Sequence, residues 1–100
     1  MALAVPIFHR LASREFRDAY QHYARQSLKA ARRFQDAVEH AIDEIAADPY
    51  RWPIFHQNYR WVKTKRFPYV LYFRILDPYH VLIVAVAHGK RRPGYWLRRS

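Results

Sequence analysis

No cysteine occurs in the sequence, which excludes disulfide staples and thiolate chemistry. The six histidines (His9, His22, His40, His56, His80, His88) are not closely paired and have no thiolate partners, so the expectation is no metal and no other cofactor. Carboxylates are scarce where chemistry would need them. Only Asp77 lies beyond Asp48, which argues against a two-carboxylate hydrolase or a two-metal nuclease. The serines (Ser13, Ser27, Ser100) sit in no nucleophile elbow. No apolar run approaches the roughly 20 residues of a membrane span, and the segment beginning at Met1 and Ala2 lacks the basic and apolar regions of a secretion signal. A cytoplasmic protein with no membrane partner is expected. Glycine occurs only at Gly89 and Gly94, both inside the densest basic stretch of the chain.

What is present is a chain of 100 residues, 51% hydrophobic and 17% aromatic. One domain over residues 1–100 is expected, able to bury roughly 60 to 70% of its unfolded surface in a single core. The net charge of +10 is unevenly placed: residues 1–50 carry seven basic and seven acidic side chains, and residues 51–100 carry eleven basic and one acidic. An excess confined to one half points to a polyanionic partner, because opposed fields accelerate encounter whatever the partner is.

The periodicities predict a β-α-α-β-β-β order, a small α+β domain in which a helix hairpin packs on an antiparallel meander. A short strand is expected over residues 5–9, confined to an edge because Pro6 cannot donate to a ladder. A first helix follows from about Leu11 to Gln26, with Ser13 or His9 near its start. Ser27 is placed to cap a second helix, whose stripe of Ala30, Phe34, Val38, Ala41 and Ile45 stops before Pro49. Residues 48–56 read as a rigid, aromatic loop. Residues 59–65 alternate, residues 69–75 are aromatic and β-branched, and residues 81–87 are almost wholly apolar, as in a central strand covered on both faces.

The strand at 69–75 directs Tyr69, Leu71, Phe73 and Ile75 toward the helices and Val70, Tyr72 and Arg74 to the other side. Lys63 and Lys65, with Lys90, Arg91 and Arg92 of the tail, would border that second side and form a cationic, ring-lined groove. Such a groove suits phosphates and bases, or an acidic or amphipathic peptide. Tyr95 and Trp96 either belong to the contact surface or fold the tail back on the core. His88 is a structural group or a base whose reference pKa lies near neutrality. Any RNA cleavage would proceed without metal, with Lys and Arg stabilising charge on the phosphate and a tyrosine or histidine moving a proton.

Two phrases are specific: Arg66-Phe67-Pro68-Tyr69-Val70-Leu71-Tyr72-Phe73, and the closing His88-Gly89-Lys90-Arg91-Arg92-Pro93-Gly94-Tyr95-Trp96. With the helical first half they resemble the RelE/ParE superfamily of bacterial toxins, in particular its ParE-type or plasmid stabilisation branch. The resemblance implies a toxin of a type II toxin–antitoxin pair that arrests growth and is neutralised in a hetero-oligomer by a cognate, acidic, ParD-like antitoxin. ParE-like members inhibit DNA gyrase, and RelE-like members cut messenger RNA at the ribosome. The nuclease set would map to Lys63, Lys65, Arg91 and Tyr95, but the arginine expected on the third strand is replaced by Val70, and Arg74 lies roughly 13 Å further along. The expectation is therefore a toxin that binds gyrase and is not an enzyme, with the ribosome-associated nuclease as the alternative and an inactive RNA- or protein-binding module as the second. Target contact is assigned to His88, Arg91, Arg92, Tyr95 and Trp96, and the antitoxin groove to Phe16, Tyr20, Val70, Tyr72 and Arg74.

Overall fold

Ser27 sets the start of the longest element: its backbone is extended, and its Oγ accepts the Ala30 amide at 2.9 Å, satisfying one of the donors that a helix start leaves without partners. The computed structural model describes residues 3–99; Met1, Ala2 and Ser100 lie outside it, and with them the ends of the N-terminal segment and serine set considered above. Helix α2 (Leu28–Ala47) ends where Asp48 leaves the helical region ahead of Pro49, and a single 3-10 turn follows over Pro49–Arg51. Helix α1 (Arg10–Ala24) is capped by His9, whose Nδ1 accepts the Leu11 amide at 3.0 Å. Of the two residues expected near that start, His9 is therefore the cap and Ser13 lies within the helix.

Five strands form one sheet: β1 (Val5–Phe8), β2 (Ile54–His56), β3 (Tyr59–Lys63), β4 (Tyr69–Asp77) and β5 (His80–His88), in the order β1-β5-β4-β3-β2. The meander β3-β4-β5 is antiparallel as expected, while β1 pairs parallel to β5, with Val5 opposite His80 and Phe8 opposite Ile83. The sheet is thus mixed, because the two helices carry the chain back across it after β1. Strand β2 occupies part of what the sequence reads as loop. Its three residues are all exposed, so no alternation of burial marks it. Strand β3 stops at Lys63, two residues short of expectation. The Thr64 amide then donates to the Tyr69 carbonyl and closes the turn into β4.

Both faces of β5 are covered, and residues 81–87 are buried without a break. On one face Leu71, Phe73, Val81, Ile83 and Val86 meet Phe34, Val38 and Ile45 of α2 and Ala12 and Ala19 of α1. Small residues on α1 allow it to lie close to the sheet. On the other face Tyr59, Tyr72, Leu82, Val84, Ala85 and Ala87 surround Trp96, which the C-terminal tail folds back over the sheet. A register shift opposite Tyr72 and Phe73, paired with Ala85 and Ile83, leaves Val84 as an extra residue, so Val84 and Ala85 both serve this second face. The outer edge of β1 is blunted: Pro6 has no amide hydrogen, and the Ala4 amide donates to the Ala46 carbonyl of α2 at 3.0 Å.

Candidate functional site

Strand β1 runs beside only the first half of β5; its last contact is the His9 amide donating to the Ile83 carbonyl at 2.9 Å. Beyond Ile83 no strand among the described residues neighbours that side of β5, and unpaired backbone groups there would be costly. Two side chains replace the missing strand. Glu15 of α1 accepts the Val86 amide on Oε1 at 3.0 Å, and Arg99 donates to the Val84 carbonyl at 3.0 Å.

The same carboxylate gathers the tail. Arg99 forks onto it, Nη1 to Oε1 at 2.8 Å and Nη2 to Oε2 at 3.1 Å, a bidentate geometry that strengthens and orients the pair. The Tyr95 hydroxyl donates to Oε2 at 2.5 Å, and Arg91 Nη1 stands 3.5 Å from that oxygen. The Glu15 and Arg99 side chains are each only 14% exposed, whereas Arg91 is 55% exposed and lays its guanidinium over the Tyr95 ring at 3.7 Å. Burial, the hydrogen bond to Glu15 and the charge of Glu15 push the Tyr95 phenol above its ordinary 10.0, outweighing the opposite pull of Arg91 and Arg99. The phenol therefore stays protonated at neutral pH and serves as a donor.

Two backbone features shape the tail. The Gly89 amide donates to the Pro68 carbonyl at 2.6 Å, tying its start to the β3–β4 turn. Gly94 adopts φ 88°, a conformation that L side chains rarely take, and a Cβ there would stand 3.1 Å from Leu97 Cδ1. The reversal at Gly94 brings Trp96 onto Tyr72 and Tyr59, with ring centroids 4.5 Å and 4.8 Å away.

The expected target-contact residues divide accordingly. Arg92 is exposed and Arg91 largely so, while Tyr95 is half-buried in the clamp. His88 is a capping group whose Nδ1 accepts the Lys90 amide at 3.1 Å and whose ring meets Tyr69 edge-on. Trp96 is 0% exposed, so in this state it cannot touch a target; its place is structural, as the anchoring reading had it.

The expected antitoxin groove also divides. Phe16 and Tyr20 line hollows of about 310 Å³ on the outer side of the helix hairpin, with Arg17 and Gln35 between them and Val38 and Ile42 at one end. Val70, Tyr72 and Arg74 face the opposite side of the sheet, where Tyr72 is buried beneath Trp96. The groove drawn along that second sheet face is filled by the tail itself. The apolar recess lies on the helices instead.

Nor do the four nuclease positions converge. Lys63 Nζ reaches the Thr64 and Phe67 carbonyls at 3.4 Å, and Lys65 lines a hollow against α2. Arg91 and Tyr95 gather on Glu15 at the free side of β5, and β4 separates β3 from β5, a span of two strand spacings or roughly 10 Å. Glu15 and Arg99, which organise the tail, are not among the site residues expected from the sequence. They lie 84 positions apart, and no local pattern marks either. Among the described residues no helix is long and apolar enough to cross a membrane, and no group of three His, Cys, Asp or Glu side chains could hold a metal ion.

A helix hairpin thus packs on a mixed five-stranded sheet, with a cationic tail folded across the sheet's second face. The chain belongs to the ParE toxin family: the family model for the ParE toxin of the type II toxin-antitoxin system, parDE, matches residues 7–93. A solved structure described as a chromosomal ParDE TA system from P. aeruginosa has the same fold, with a TM-score of 0.73 and 19% identity over 88% of this chain and 98% of that one. A search of curated proteins returns no match.

Proposed function

We propose that this ParE-family toxin acts in the cytoplasm by binding DNA gyrase through the exposed cations of its tail, and that a cognate acidic antitoxin neutralises it by lying along the helix hairpin. The observation that carries the reading is the family match over residues 7–93, which spans the hairpin, the sheet and the tail as far as Pro93. The geometry supports it in two ways. The Glu15 clamp holds the tail in one conformation, so Arg91 and Arg92 are presented with little ordering left to do on binding. The recess at Phe16 and Tyr20 is apolar and bordered by Arg17, suited to an amphipathic segment that carries acidic residues.

The nuclease alternative fits less well. Its lysines lie on and after β3, whereas Arg91 and Tyr95 gather on Glu15 at the far side of β5. Purified protein added to gyrase and relaxed plasmid should abolish supercoiling. Intact supercoiling together with cleavage of ribosome-bound message would reverse the assignment.

A further inference from the structure

Away from the tail clamp, three basic side chains line one hollow of about 370 Å³: Arg33 of α2, and Lys65 and Arg66 of the β3–β4 turn. All three are exposed. Asp36 is the carboxylate on the same wall, yet among the described residues no ion pair engages Arg33, Lys65 or Arg66. Arg91 and Arg99 differ in this respect, because Glu15 offsets their charge. Arg66 also adopts φ 68°, a left-handed conformation that costs a long side chain more than it would cost glycine or asparagine. Backbone strain of this kind clusters at sites of contact and function.

The bond from the Gly89 amide to the Pro68 carbonyl brings Lys90 and Arg92 to the same end of the sheet as Lys65 and Arg66. Helix α2 adds to the polarity. Lys29, Arg32 and Arg33 occupy its first turns, and every charged residue from Asp36 to Glu44 is acidic, His40 aside. One end of the molecule therefore gathers Arg33, Lys65, Arg66, Lys90 and Arg92, and the longest helix turns acidic away from it.

We propose that this end grips the phosphate backbone of duplex DNA without reading its sequence. Unpaired cations on one surface match a line of phosphates, and phosphate contacts position a protein without carrying sequence information. The acidic remainder of α2 orients the approach. Single-stranded RNA is a poorer fit, since its recognition needs rings free to stack on bases. The rings at this end are committed to one another: Tyr23 packs on Phe34 and Phe67 at 5.1 Å, and Phe67 on Phe34 at 5.5 Å. The surface goes beyond the gyrase reading and is tested without that enzyme.

The test is fluorescence anisotropy of a labelled duplex of about 20 base pairs with the full chain, between about 50 and 200 mM salt. Log affinity should fall linearly with log salt, with a slope near about −2.7 if three phosphates are neutralised, and should be the same for unrelated sequences. Combining Arg33→Gln, Lys65→Gln and Arg66→Asn should weaken binding at least about tenfold and flatten most of that slope. The melting temperature should hold, because all three residues are exposed and asparagine tolerates the backbone at position 66. Combining Arg10→Gln, Arg14→Gln and Arg51→Gln removes equal charge elsewhere and should change affinity less than about twofold, since screened charges act over roughly 10 Å. Equal losses in the two triple variants would reduce the effect to net charge and overturn the proposal. So would unchanged binding by the first variant, tighter binding to single-stranded RNA of the same length, or displacement of the duplex by polyglutamate at equal charge.

Discussion

The Tyr95 hydroxyl donates to Glu15 Oε2 at 2.5 Å, joining residues 80 positions apart through a carboxylate that also receives Arg99, Arg91 and the Val86 amide. Glu15 thus does two jobs at once. It completes the unpaired side of β5, and it fixes the tail that carries the cations proposed to meet the target.

Glu15→Ala removes the acceptor: the mostly buried Arg99 guanidinium keeps only the Val84 carbonyl, and the Val86 amide and Tyr95 hydroxyl lose their partner. Loss of one member of a buried, hydrogen-bonded pair costs about 3–5 kcal/mol, and residual exposure of this site places the expected loss at about 2–4 kcal/mol. Urea unfolding measures it. Hydrogen exchange at the Val86 amide should quicken even where the global fold persists, and unchanged exchange would contradict the clamp.

The raised pKa of Tyr95 has a definite sign. Below the unfolded value of about 10 the phenol is protonated in both states and contributes no pH dependence. Above it the unfolded chain releases the proton first, so stability falls as pH rises into the alkaline range. Tyr95→Phe should flatten part of that decline between about pH 10 and 11, with the remainder owed to Tyr23, Tyr69 and Tyr72, whose pKa values burial also raises. Stability measured against pH for both proteins tests this.

Trp96 fills the second core, and its indole nitrogen meets no acceptor among the described residues. Trp96→Ala is expected to cost about 3–5 kcal/mol through the cavity it leaves. Trp96→Phe should cost well under half of that, because it keeps much of the ring packing and discards an unpartnered donor. Equal losses for the two variants, read from denaturant midpoints, would rule out this account of the tail's anchorage.

Arg92 is exposed and, among the described residues, forms no ion pair. Arg92→Ala should leave the melting temperature unchanged while raising the concentration needed to inhibit gyrase by about tenfold, near 1.4 kcal/mol. Full inhibition by the variant would remove this residue from the proposed contact.

Tyr20→Ala, on the outer side of α1, should weaken antitoxin binding by about 2 kcal/mol, the scale of an aromatic anchor at an interface. Gyrase inhibition should persist, since the tail lies elsewhere. Calorimetry with the purified antitoxin provides the measurement.

Much of the fold is legible residue by residue. The stripe from Ala30 to Ile45, the cap at Ser27 and the stop at Pro49 define α2, and the run from Val81 to Ala87 marks a strand with two buried faces. These signals are local, carried by neighbours two to four positions apart, so the chain alone determined the helices, the three meander strands and the confinement of Pro6 to an edge. Strand β2 escaped because three exposed residues bear no alternation. Only the tertiary structure decided which carboxylate meets which cation: Glu15 finds its partners 71 to 84 positions away, and eight acidic residues facing eighteen basic ones leave that choice open in one dimension. The same holds for the second sheet face. Its apolar residues required a cover, and packing in three dimensions supplied Trp96 in place of an open groove, moving the free apolar recess to the helices.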